Sequence, residues 1–140
     1  MAKSAPGTPG GVAAVEVRVP AQTDQLSGLR RIVREYIESA GGDRCTADDL
    51  ELVASELATN VIEHTTSPTI TITIERTPDA WMIEVSDVEG PFVLSEVAVL
   101  PATSDRAGRG LFVVRSLVDE LEVVETPTSR ALRCRRQLTR

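Results

Sequence analysis

The sequence predicts an α+β fold, a two-layer sandwich in which a mainly antiparallel sheet carries helices on one face. Three features of the chain lead there. Thr69 to Glu75 alternates threonine with isoleucine, the two-residue period of a strand, and Trp81 to Ser86 follows across a short turn as its hairpin partner. Two segments ahead of that hairpin repeat apolar residues at three- and four-residue steps, the period of amphipathic helices. The order strand, helix, helix, two strands, irregular segment, helix, two strands lets the strands pair antiparallel with the helices gathered on one side. At 140 residues, 41% hydrophobic and 26% charged, the chain has the size and balance of one globular domain, which excludes a disordered or fibrous protein.

Met1 to Gly11 is small, Pro/Gly-rich and without the apolar run of a secretory signal, so it is expected to be a flexible tail ahead of a domain spanning residues 12–140. Val15, Val17 and Val19 alternate with Glu16 and Arg18 in the first strand, which Pro20 ends. From Thr23, the stripe Leu26, Leu29, Ile32, Val33, Tyr36 and Ile37 predicts a helix that Gly41-Gly42 stops. In the second helix Thr46 is the expected cap, Asp48 and Asp49 fall in the first turn, and Leu50, Val53, Leu57 and Val61 form the buried stripe. Pro68 forbids further helix, and the hairpin turns at Thr77 to Ala80, leaving Asp87 at or just past its end. Val88 to Gly108 has no period, the mark of a functional lid. Leu111, Val114, Leu117 and Val118 then predict a short helix, and Leu121 to Glu125 and Ala131 to Leu138 two closing strands.

Glu56 and Asn60 stand four apart on the second helix and share a face, a carboxylate and an amide at the edge of a pocket. Asp87 at a strand end can accept a hydrogen bond from an exocyclic amine, and Gly90 behind it lets backbone approach a flat ring. Arg106-Ala-Gly108-Arg109-Gly110-Leu111 opens a helix, where backbone N–H groups seat phosphates and arginine adds charge.

This order of motifs resembles the three nucleotide boxes of the gyrase, chaperone, histidine-kinase and mismatch-repair ATPases, whose sandwich is the Bergerat-type ATPase fold. The short form, over about Val12 to Leu138, resembles the bacterial anti-sigma-factor serine kinases, most of all in Glu56 to His64 and Gly108 to Glu120. The resemblance implies ATP and Mg²⁺ as cofactors. It assigns Glu56 to orient or deprotonate an attacking serine hydroxyl, Asn60 to hold Mg²⁺ through its amide oxygen, and Asp87 to read adenine. It gives Gly108 and Gly110 backbone contacts to the phosphates and Arg106 the γ-phosphate. Gly90, Arg109 and Leu111 belong to the same nucleotide-binding boxes, Arg109 through its backbone. The implied partners are a sigma factor and an anti-anti-sigma antagonist, which lets go of the kinase once phosphorylated; a homodimer through the first strand and helix is also compatible. His64 matches the family too, with no defined role. Two departures stand out: Asp87-Val-Glu89-Gly90-Pro91 has Glu89 where the family has glycine, and Thr128-Ser-Arg-Ala131 replaces its Gly-Thr. They keep open a second reading, a regulatory module of this fold that is nucleotide-poor or catalytically inactive. A detached histidine-kinase catalytic domain is a third.

The net charge of −6 argues against direct nucleic-acid binding, and no stretch is apolar for the roughly 20 residues that span a bilayer, so a cytoplasmic protein is expected. Arg130, Arg133, Arg135, Arg136 and Arg140 form either a basic patch for an acidic partner or a solvated strand face. Cys45 and Cys134 read as ordinary thiols, Trp81 and Phe112 as core or partly buried aromatics, and Ser95, Thr103 and Ser104 as common loop residues.

Overall fold

The computed structural model describes residues 2–4, 12–64, 67–87, 106–125 and 130–138. Within them the chain runs β1 (Ala2–Ser4), β2 (Val12–Pro20), a 3-10 turn (Thr23–Gln25), α1 (Leu26–Ser39), α2 (Arg44–His64), β3 (Thr69–Arg76), β4 (Ala80–Asp87), α3 (Arg106–Leu117), β5 (Glu120–Glu125) and β6 (Arg130–Gln137). All strand pairs are antiparallel, in the order β1-β2-β3-β4-β6-β5, as the α+β class requires. Ala2–Ser4 corrects the expectation of a tail throughout Met1 to Gly11: these residues pair with β2, Lys3 opposite Glu16. The edge of β2 is a row of backbone donors and acceptors, and it templates pairing whatever the composition of the added segment.

The two-residue period sorts the sheet into faces. Val17, Ile72, Val85 and Leu132 are register neighbours across β2, β3, β4 and β6, and each is at most 1% exposed beneath the helices. On the opposite face Arg133 meets Glu84 at 2.9 Å and Arg135 meets Asp79 at 3.3 Å. These arginines therefore form a solvated, charge-paired strand face rather than a basic patch. Arg136 turns to the helix side, where its guanidinium, 10% exposed, pairs with Asp49 of α2 at 2.6 Å.

Leu29, Val33 and Ile37 of α1 and Leu50, Val53, Leu57 and Val61 of α2 are buried, so the predicted stripes face the sheet. Between the helices Gly41 takes φ +94, a conformation that disfavours any Cβ. A Cβ on Gly42 would meet the Ile37 side chain, the Ile37 carbonyl at 3.0 Å and Trp81 at 3.1 Å, so glycine there lets the connection lie against the core. The cap of α2 differs from the expectation. The Thr46 N–H donates to Asp43 Oδ1 at 2.8 Å, so Asp43 rather than Thr46 caps, and this bond holds its carboxyl below its ordinary value. The helix begins at Arg44, before Thr46, so no acidic residue lies in its first turn. Asp48 instead joins Glu38 and Glu51 around Arg34, tying α1 to α2 and holding the guanidinium firmly protonated.

A bulge in β2 between Val12 and Val15 breaks its register with β3. Tyr36, 7% exposed, closes the gap: its hydroxyl donates to the Ala13 carbonyl at 3.1 Å and accepts from the Arg76 N–H at 2.9 Å. A residue read from periodicity as a stripe member thus also satisfies the polar backbone where the ladder fails.

Candidate functional site

Strand register gives the sheet two distinct ends. Asp87 closes β4 opposite Ile70 and Arg130, whereas Ala80 opens β4 opposite Gln137. The N-terminal half of α2 lies toward the Ala80 end, because Gly42 abuts Trp81 and Asp49 pairs with Arg136. Its C-terminus is at the Asp87 end, with only four residues between His64 and the start of β3 at Thr69. The α3 helix is fixed by its exit: just beyond it the Asp119 N–H donates to the Arg135 carbonyl at 2.8 Å, and Asp119 Oδ2 accepts from the Gln137 N–H at 2.8 Å. Twelve residues of helix extend about 18 Å, so the N-terminus of α3 returns toward the Asp87 end, antiparallel to α2. The C-terminal half of α2, the end of β4 and the start of α3 therefore converge.

Glu56 and Asn60 occupy this half of α2. The α1 side of α2 is marked by Glu51 and Ser55, which accept from Arg34 and Arg30. Asn60, half a turn around from them, lies on the α3 side. It is 3% exposed, and its Nδ2 has no hydrogen-bond partner among the described residues. A buried carboxamide with an unmatched end costs free energy unless something else meets it. Glu56 is half-buried, and desolvation, with a smaller contribution from the Glu63 charge, raises its carboxyl above the ordinary value. Glu63 is not singled out by sequence reasoning; its seven-residue spacing from Glu56, two helical turns, is the signal that would find it.

The remaining candidates distribute as follows. Asp87 is the last residue of β4. Gly108 falls in the first turn of α3, where N–H groups lack an intrahelical acceptor, and Gly110 in the second, because the helix starts earlier than the glycines suggested, at Arg106. Arg106 and Arg109 lie in that same opening segment. Leu111 is fully buried in the core that α3 shares with α2. Gly90, Glu89 and Pro91, most of the expected lid with its Ser95, Thr103 and Ser104, residues 126–129 and Arg140 lie outside the described residues. Trp81 is buried as expected, but Phe112 is corrected: it is 56% exposed, because the core side is already filled by Leu111 and Val114 of α3 and by Val118 just past its end.

An amide and a carboxylate one turn apart, beside a strand-end aspartate and a helix start, can bind a cation with its phosphates and accept a proton from a nearby hydroxyl. Among the described residues no group of three His, Cys, Asp or Glu side chains is placed to hold a metal, and no helix is long and apolar enough to cross a membrane.

The chain is 28% identical over 127 residues to the serine-protein kinase RsbW of Staphylococcus aureus, covering 81% of this chain and 80% of that one. Among solved structures it is similar to the RsbU and RsbW domains of a Mycobacterium tuberculosis protein, with a TM-score of 0.66 and 17% identity over 90% of this chain and 32% of that one. A second is the Pseudomonas aeruginosa SiaB–SiaC complex, with a TM-score of 0.64 and 14% identity over 86% of this chain and 87% of that one. At such identities the structural likeness speaks for the fold. The model of the histidine kinase-like ATPase domain matches residues 19–136, most of the chain, and the protein therefore belongs to the histidine kinase-like ATPase family.

Proposed function

We propose that this protein is an ATP- and Mg²⁺-dependent serine kinase that phosphorylates an anti-anti-sigma antagonist and, once the antagonist has let go, holds a sigma factor. The observation that carries the reading is Asn60, buried one turn after a desolvated carboxylate with its Nδ2 donor unmatched among the described residues and so open to a phosphate oxygen. Family membership and the likeness to serine-protein kinases named RsbW support it. We further propose residues 12–140 as the working unit, cytoplasmic, with a homodimer compatible through β2 and α1.

Asn60 would hold Mg²⁺ through its amide oxygen, and the ion when bound supplies charge neutralisation at the phosphates. Asp87, with Gly90, would receive adenine. The first turn of α3, from Arg106 through Gly108 to Arg109, would meet the phosphates with backbone N–H groups, and Arg106 the γ-phosphate; Gly110 and Leu111, one turn on, would keep that helix start seated on the core. The serine oxygen of the antagonist attacks the γ-phosphorus, the bond from that phosphorus to the bridging oxygen breaks, and ADP leaves. The hydroxyl proton passes to the Glu56 carboxylate. Desolvation makes Glu56 a stronger base than an exposed glutamate, yet it must be ionised to act, so transfer is lost as pH falls through a midpoint above the ordinary 4.5.

Labelled γ-phosphate tests this directly, with the protein, Mg²⁺ and antagonists from the same genome. Transfer to a serine is expected, reduced about 10²- to 10⁴-fold by Glu56→Gln with ATP binding intact. Undiminished transfer by Glu56→Gln would remove that residue from the chemistry. Glu89 and Pro91 in the adenine box favour the second reading, a binding module of the same fold, whose mark is partner binding with no transfer by the unaltered chain.

A further inference from the structure

We infer that β5 and the adjoining flank of α3 form a docking edge for an extended, basic segment of a partner protein, anchored by an apolar side chain on Phe112. Phe112 is 56% exposed, the more exposed of the two large apolar side chains that stand out on the described surface; the other, Leu52, is 42% exposed. Its location follows from its neighbours. Arg115, one turn later on the same side of α3, lines a hollow of about 240 Å³ together with Val118, Glu120 and Leu121. Phe112 therefore stands on the flank of α3 that overlooks β5, and this flank faces away from α2.

The strand beneath it is the last of the sheet among the described residues, where it pairs with β6 alone. A terminal strand offers its outer backbone groups to any segment that can lie alongside, and affinity in such additions comes from the main chain while side-chain pockets set specificity. Charge selects the occupant. The strand reads Glu120-Leu-Glu-Val-Val-Glu125, and its exposed Glu120 and Glu122 stand in register with Arg135 and Arg133 of β6; Glu122 lies 3.7 Å from Arg133, but these two arginines also pair with Asp79 and Glu84, so carboxylates outnumber cations on this face. A second copy presenting its own β5 would set glutamates against glutamates, a destabilising cross-strand pairing. A segment with lysine or arginine at alternate positions meets the carboxylates favourably, and an apolar residue on its helix-facing side reaches Phe112 and the hollow beside it. The surface does not require nucleotide at the other site, so this inference stands or falls separately from the kinase reading.

The test uses the full chain and a synthetic heptapeptide, acetyl-Lys-Val-Lys-Leu-Lys-Val-Lys-amide, followed by fluorescence anisotropy and by amide shifts in nuclear magnetic resonance spectra. Saturable binding is expected, with the largest shifts along residues 120–125 and at Phe112. Phe112→Ser, a change on the surface, should weaken it roughly tenfold, as loss of an aromatic anchor does. Methylating alternate peptide nitrogens on the pairing edge should abolish strand addition with the charges intact. Equal binding by the methylated peptide would reduce the effect to charge alone and overturn the inference. So would indifference to Phe112→Ser, shifts away from β5, or no binding.

Discussion

Asn60→Ala separates a structural asparagine from one held for a ligand. An ordinary buried asparagine is hydrogen-bonded, and truncating it strands its partners at about 1–3 kcal/mol. Here the Nδ2 group has no partner among the described residues, so the unmatched group is itself the burden, of that same size, and removal relieves it. The void left is close to one water in volume, about 30 Å³, which at about 24 cal/mol per Å³ costs about 0.7 kcal/mol. Without nucleotide the variant should therefore be about 0.3 to 2.3 kcal/mol more stable than the parent, the difference of those two figures. With ATP and Mg²⁺ at a hundred times the dissociation constant the parent gains about 2.7 kcal/mol and the variant almost nothing, so the order reverses. Urea unfolding of both proteins, with and without ATP and Mg²⁺, reads all four values. A variant that loses more than about 1 kcal/mol without ligand, or keeps the whole ligand-induced gain, would refute the reasoning, since a hydrogen-bonded structural asparagine behaves that way.

Tyr36→Phe should lower stability by about 1–3 kcal/mol in urea unfolding, because the Ala13 carbonyl and the Arg76 N–H both lose the hydroxyl at the β2 bulge. In a native thiol titration the exposed Cys45 should react readily and Cys134 only after unfolding, because burial pushes the Cys134 thiol up to about 12 and keeps it protonated. The Asp43 cap lowers that carboxyl's pKa, so its contribution is present above the ordinary 3.8 and lost as pH falls through the lowered value. Asp43→Ala should accordingly lower the urea midpoint at pH 7, with the gap to the parent closing in strong acid.

The sequence by itself determined the elements and their order, because periodicity is a local property: Ile70, Ile72 and Ile74 must share one face of a strand, and Leu50, Val53, Leu57 and Val61 one face of a helix. It also brought Glu56 and Asn60 onto neighbouring turns and set Asp87 at a strand end, since those relations span single elements. Boundaries and partners were beyond it. Asp43 and Thr46 are both capping types, and the choice rests on where the Gly41-Gly42 turn releases the chain into helix. That Ala2–Ser4 adds a strand depends on the free edge of β2, and that Arg136 turns inward depends on Asp49, 87 residues earlier. Phe112 is exposed because Leu111 and Val114 of α3, with Val118 just past it, had already filled the core side. Above all, only the tertiary structure left Asn60 buried with its Nδ2 unmatched among the described residues, because the partners that could reach an amide are decided by every element packed around it.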